Sequence, residues 1–340
     1  MNGKNLKMWQ LLPDTDKRDI LNEVSAQLNL PPSAIEKDWW VTMVLKAIFA
    51  LSYAQHLVFK GGTSLSKGWN LIDRFSEDID LALDRTFLGL FGGDLGKKQV
   101  TRLRQASFLF VSNQLLNDLH IKLTEMGITD FNLFAWESKS SDTDPEVLEL
   151  QYSSVTESIQ YIRPRVLIEV GARSLLEPFV QIPVQSLLGQ TFNELPFADT
   201  PVLLPIVLPK RTFLEKAFLL HEEFLKADGS VRVDRMSRHL YDLFKLMDST
   251  HGIEALQDEE LYKTIVEHRQ MFNAYKGMDY ANHYPALIDF IPPERIREAW
   301  DKDYKEMTNS MIYGDAPEFD ALLNKLIILR ERFRMISWKH

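Results

Sequence analysis

Two carboxylates one residue apart, Asp78 and Asp80, follow a glycine pair, Gly61-Gly62, with fifteen residues between Gly62 and Asp78. In an extended strand, side chains two positions apart share a face, so Asp78 and Asp80 point one way and Ile79 and Leu81 the other. Like charges side by side repel and are costly to desolvate unless a counter-ion joins them. Oxygen-only ligands in small number suit Mg2+, which keeps waters and takes further oxygens from phosphates. A backbone bare of side chains at Gly61-Gly62 lets a triphosphate approach its N–H groups, and Thr63 or Ser64 can donate hydroxyls. The alternative is a surface strand with two solvated aspartates after an ordinary hairpin. The combination of glycine pair, short helix and acid pair favours the phosphate chemistry over either motif alone.

These residues need a frame. Val58–Leu83 reads as an apolar run, the glycine turn, a helix-compatible stretch and the acid-bearing strand. Upstream, residues 14–27 read as one helix, and Pro31-Pro32-Ser33 opens a second containing Glu36, Lys37 and Asp38, where acids near the start suit the helix macrodipole. Downstream lies a glycine-rich loop with Gly89, Gly92, Gly93 and Gly96, expected to be mobile and beside the metal site. A helix from about Lys97 to Met126 follows, with Lys97, Lys98, Arg102 and Arg104 clustered at its start as a solvated face or a phosphate contact. Residues 137–182 read as β structure, including Leu148–Tyr152 and Tyr161–Val170, the latter carrying Glu169, for which an edge-strand ion pair with Arg163, Arg165 or Arg173 is one reading. Prolines 178, 183, 196, 201, 205 and 209 confine the next stretch to loops and edge strands, with a strand returning at Val202–Leu208. From there the pattern is helical. The helix over 210–229 carries Lys216 on the flank of its apolar face, where a snorkelling lysine is common. The pattern over 231–248 predicts another helix, with Asp242 projecting away from the core face, an i,i+4 pair Arg238–Asp242, and a basic stripe Arg232, Arg235, Arg238.

The 340 residues suffice for one large domain or two, and 45% apolar with 26% charged residues is ordinary for a globular protein. The absence of cysteine excludes disulfides, thiolate metal sites and a cysteine nucleophile. No apolar stretch is long enough to span a bilayer and no leader pattern opens the chain, so no membrane partner and a cytoplasmic location are expected. A net charge of −9 argues against general coating of nucleic acid and confines any RNA contact to a local patch.

FKGGTSLSKGW followed by RFSEDIDLAL resembles the AbiEii/AbiGii-type nucleotidyltransferases, a branch of the polymerase-beta-like superfamily that includes bacterial toxin–antitoxin and abortive-infection toxins. EKDW, TFLEKAFLLH, SRHLYDL and DYKEMTNSMIYGDAPEFDALL extend the likeness over most of the chain. The resemblance implies an α/β (α+β) core with a small mixed sheet over residues 1–208, and a helical domain over 209–340 that closes the active-site cleft. It implies Asp78 and Asp80 as metal ligands, and Glu169 as a third carboxylate for a second metal or for the acceptor hydroxyl. Lys60, Gly61, Gly62, Thr63 and Ser64 would then bind nucleotide, Lys216 would contact its phosphates, Asp242 would orient a catalytic group, and Arg238 and His239 would lie near the phosphates or the acceptor. Implied substrates are a nucleoside triphosphate and the 3′ end of a transfer RNA, with a cognate antitoxin as partner. Nucleotide transfer to a protein side chain and a non-catalytic nucleotide- or partner-binding module are the alternatives.

Overall fold

The computed structural model describes residues 8–91, 95–137, 140, 143–157, 162–227, 229–272 and 278–338. Gly92, Gly93 and Tyr161, on which two sequence readings fell, lie outside the described residues. The chain forms two units: 1–68 with 75–207, and 69–74 with 208–340. The six residues Trp69–Arg74, which the continuous division at 208 had left with the first half, belong with the C-terminal unit.

In the first unit, helices α1 (Asp14–Leu28) and α2 (Pro32–Ile48) precede strand β1 (Leu57–Lys60), short helix α3 (Gly61–Lys67) and strand β2 (Ile79–Leu83). A long helical segment follows: α4 (Lys97–Leu109), a π-helical turn Phe110–Leu115, and α5 (Leu116–Glu125). Strands β3 (Phe131–Ala135), β4 (Glu146–Tyr152), β5 (Arg165–Gly171) and β6 (Phe179–Val184), helix α6 (Leu187–Thr191) and strand β7 (Val202–Val207) complete the unit. The seven strands make one mixed sheet in the order β3-β4-β5-β2-β1-β7-β6. β6 is an edge strand, as its prolines dictate, but β7 is not: it lies between β1 and β6 despite Pro205. Its register with β1 is correspondingly slight, Phe59 opposite Ile206, because a proline offers no N–H to a ladder.

One face of the sheet is buried by Leu57, Phe59, Ile79, Leu81, Leu83, Leu148, Leu150, Val166, Ile168 and Val170, all fully or almost fully inaccessible. The alternation places Asp80, Glu169 and Val147 on the other, less covered face.

Glu36, Lys37 and Asp38 do not serve the macrodipole. All three are buried, and each reaches a distant segment. Glu36 accepts from the Ser154 hydroxyl at 2.6 Å and the Val155 N–H at 2.8 Å; Lys37 holds Glu77 at 2.5 Å; Asp38 pairs with Lys67 and accepts from Leu187 N–H at 2.7 Å. α2 therefore pins both the end of α3 and the residue before Asp78.

The second unit contains α7 (Pro209–Phe224), α8 (Ser237–Leu246), α9 (Thr250–Ala255), α10 (Glu259–Phe272), α11 (Glu294–Met311) and α12 (Phe319–Arg334). α8 is shorter than its hydrophobic period predicts. Arg235 sits at φ +58° and donates its N–H to Asp303, while Arg232 pairs with Glu223, so residues 231–233 are irregular and 234–236 form a turn. Arg232, Arg235 and Arg238 therefore make no helical stripe. No helix among the described residues is long and apolar enough to cross a membrane.

Glu146 is 1% exposed on the buried face, and burial together with neighbouring Asp144 pushes its carboxyl up to about 7. A carboxyl raised on folding stabilises below its unfolded pKa and loses that contribution as pH rises through the folded value. Glu146→Gln should thus raise the unfolding free energy at pH 8, by on the order of 2 kcal/mol, and leave it nearly unchanged at pH 4. Urea titrations at both pH values measure this.

Candidate active site

In the first unit the site is set by how β1 turns into α3. Gly61 has φ +79°, a left-handed conformation natural to glycine, and an added Cβ would lie 2.7 Å from Asp80 Cγ and closer still to Oδ2. The Asp80 carboxylate thus occupies the space a side chain at 61 would need. Thr63 is fully buried, and its hydroxyl is 2.5 Å from the Asp78 carbonyl and 2.9 Å from Ser76 Oγ; that of Ser64 donates to the Gly61 carbonyl at 2.8 Å. Both side chains are spent inside the turn. What they leave for a phosphate are the N–H groups of the first helical turn, which have no partner within a helix.

Asp78 immediately precedes β2 and Asp80 lies within it. Asp80 stands opposite Lys60 on β1 and beside Glu169 on β5, so acid, acid and lysine form one cross-strand row. Of Arg163, Arg165 and Arg173, the alternative partners of Glu169, Arg165 meets Glu149 at 3.1 Å and Arg173 meets Asp144 at 2.7 Å. The glycine-rich loop leaves β2 at Leu83, about 10 Å along the strand from Asp80, rather than at the acids. Among the described residues no cluster of three metal-ligating side chains is already gathered.

The second unit holds a separate constellation. Asp242 does not project outward and does not form the expected surface pair with Arg238. It is completely buried and receives Arg74 in a fork, Nε to Oδ1 at 2.7 Å and Nη2 to Oδ2 at 2.8 Å. Lys216, from α7, reaches Oδ2 at 2.8 Å, and its Nζ lies 3.3 Å from His239 Nδ1. Burial alone would raise the Asp242 carboxyl, but Arg74 and then Lys216 outweigh it and hold the group well below the carboxylate range. Burial lowers Lys216, with Asp242 opposing. His239 is driven well below the usual imidazole value by burial, then by Lys216 and Arg238. A neutral His239 accepts from the ammonium at Nδ1 and carries its proton on Nε2. One carboxylate between two cations leaves a net positive charge, the sign a phosphate needs.

Arg74 was absent from the sequence reading, as was the triple pinning by Glu36, Lys37 and Asp38. Arg74 opens the RFSEDIDLAL motif between Asp73 and Phe75, and the nearby acids Asp73, Glu77 and Asp78 offered it local partners in place of the distant Asp242.

A carboxyl lowered on folding contributes stability above its unfolded pKa and loses it as pH falls through the folded value. Asp242 should therefore support the second unit fully from neutrality down to about pH 4. Asp242→Asn, which leaves two buried cations without their anion, should cost about 3–5 kcal/mol at pH 7, a gap that narrows in more acidic solution. Denaturant midpoints from pH 3 to 7 test both parts.

A search of curated protein sequences returned no match. Among solved structures, MenT4, a nucleotidyltransferase toxin from Mycobacterium tuberculosis, is similar at 16% identity and a TM-score of 0.44, over 91% of this chain and 99% of that one. The family model described as nucleotidyl transferase AbiEii toxin, type IV toxin–antitoxin system, matches residues 44–325. That span holds Gly61, Asp78, Asp80, Glu169, Lys216 and Asp242, and the chain belongs to the AbiEii family of nucleotidyltransferase toxins.

Proposed function

We propose that this nucleotidyltransferase moves a nucleoside monophosphate from a nucleoside triphosphate to the 3′ hydroxyl of an RNA, a transfer-RNA end being the expected acceptor, as the toxin partner of a cognate antitoxin. The observation that carries the reading is the carboxylate of Asp80 seated against the bare backbone of Gly61 and in register with Glu169. This arrangement supports a phosphate held close to acidic side chains, which only a cation between them makes favourable.

The donor set fits magnesium: carboxylate oxygens of Asp78 and Asp80 are hard ligands, and glycine at 61 lets the Asp80 carboxylate lie against the turn. Bound there, the ion would neutralise charge on the transferring phosphoryl group. The protein's own contribution is positioning. Thr63 ties the Asp78 backbone to the glycine turn, and Lys37 holds Glu77 in place. Gly61 and Gly62 offer N–H groups to the triphosphate, with Lys60 as a further cation. Glu169 would accept the proton of the attacking hydroxyl as it bonds to the α-phosphorus and pyrophosphate departs. Lys216 would counter phosphate charge, held for that task by Asp242, with Arg238 and His239 as the phosphate or acceptor contacts that the family likeness implies.

The test is incubation of purified protein with each α-labelled nucleoside triphosphate, total RNA and cell-extract protein, with magnesium or with a chelator. Label should enter a discrete RNA band with one nucleotide and only with the metal. Asp80→Ala should reduce transfer at least about 100-fold, as should Gly61→Ala, which displaces the acid while leaving it in the chain. Label in protein instead of RNA would overturn the acceptor; wild-type activity in Asp80→Ala would overturn the site.

A further inference from the structure

The row that contains the acids continues to an aromatic ring. Trp136 follows β3, and its N–H donates to the Val147 carbonyl at 2.9 Å, extending the β3–β4 ladder by one residue beyond the Ala135–Leu148 pair. Val147 is in register with Glu169, Glu169 with Asp80, and Asp80 with Lys60. Trp136 therefore ends a line of five residues across five strands, three strand spacings or about 14 Å from Asp80. Its side chain is on the acids' face, because indole Nε1 donates to Glu149 Oε2 at 2.8 Å, and Glu149 is two residues along β4 from Val147.

Glu149 is a buried anchor, 4% exposed, which also accepts from Gln151 at 2.9 Å and Arg165 at 3.1 Å. The indole it fixes is 43% exposed. A large apolar ring left in water loses the gain of burial, about 2–3 kcal/mol for a side chain of this kind, and its single donor is already used inside the protein. What it presents to solvent is a rigid π surface. Arg165, on the same face and 29% exposed, sets a guanidinium nearby through their shared carboxylate. A sheet that displays a fixed aromatic ring and an arginine is how single-stranded RNA is commonly held, by stacking of splayed bases. The separation from Asp80 is one that a few nucleotides of single strand span.

We propose that Trp136 is a stacking platform for a base of the single-stranded RNA acceptor, close to the 3′ hydroxyl that takes the nucleotide; this rests on the reading that RNA is the acceptor. The bound strand runs along the row from Trp136 toward Asp80, and the ring contributes to RNA affinity without touching the triphosphate. Trp136 is a binding residue and takes no part in the bond-making step.

The experiment measures fluorescence anisotropy of a short labelled single-stranded RNA with a free 3′ hydroxyl on wild type, Trp136→Ala and Trp136→Phe, without nucleotide, alongside steady-state transfer kinetics. Trp136→Ala should raise the Kd and the KM for RNA by about 10- to 100-fold. Its KM for the triphosphate and its kcat should stay within about twofold of wild type. Trp136→Phe, which keeps a ring, should recover most of the binding. RNA binding by Trp136→Ala equal to wild type would overturn the platform, as would a phenylalanine variant no better than alanine. Because binding is read without transfer, the two proposals fail differently. Wild type that binds RNA through Trp136 but labels only protein refutes the RNA acceptor and supports the platform, whereas wild type that does not bind the oligonucleotide refutes both.

Discussion

The C-terminal unit depends on one buried carboxylate. Asp242 has no exposure to water, and such a charge is tolerable only when its oxygens are fully engaged. Arg74 engages both in a planar fork and Lys216 adds a third donor. Arg74 comes from the six-residue segment 69–74, and that segment's other contacts follow the same allegiance: Tyr313 N–H donates to the Asp73 carbonyl, Lys245 reaches the Asp73 carboxylate, and Arg74 bridges to Ile312. A stretch that chain order assigns to the first unit is thereby a component of the second. The fork explains why arginine stands there, since lysine could supply only a point charge.

The first unit solves a different problem, how to bring acids together on a rigid element. Its sheet does so through register. Lys60, Asp80 and Glu169 come from three strands and fall on one row, so their spacing is set by backbone hydrogen bonds rather than by flexible side chains. α2 secures the approach to that row: its consecutive Glu36, Lys37 and Asp38 each bind a different segment, two of them flanking the stretch that separates glycine pair from acid pair. Buried pairs of this kind add little net stability over apolar packing, but they specify which segments lie side by side.

Much of this was legible in the residues. The period-two alternation of Asp78 and Asp80 and the glycine pair before them located the turn and strand, and the apolar spacing around Lys216 located α7. Glu169 was named because the family likeness implies a third carboxylate on a neighbouring strand, and the β-branched, apolar pattern around it located that strand. What the sequence did not show were partners distant in the chain. Asp242 lies 168 residues from Arg74, so the local pattern offered Arg238 instead and turned the carboxylate outward. Glu36–Asp38 suffered the same error, because a helix start has its own reason to carry charge. Residues 231–236 kept a helical rhythm but not helical geometry, since Asp303 and Glu223 draw their backbone and side chains into turns. Trp136 drew no notice, as nothing in its own neighbourhood tells whether an indole is packed or displayed.

The close approach of Asp80 to Gly61 has a consequence for comparing chains. Positions 61 and 80 share one volume, so they cannot vary independently. In a descendant that gains a side chain at the first position, the acid at the second must move or disappear. Two aligned columns, read together, report whether this close approach of backbone and carboxylate has been kept.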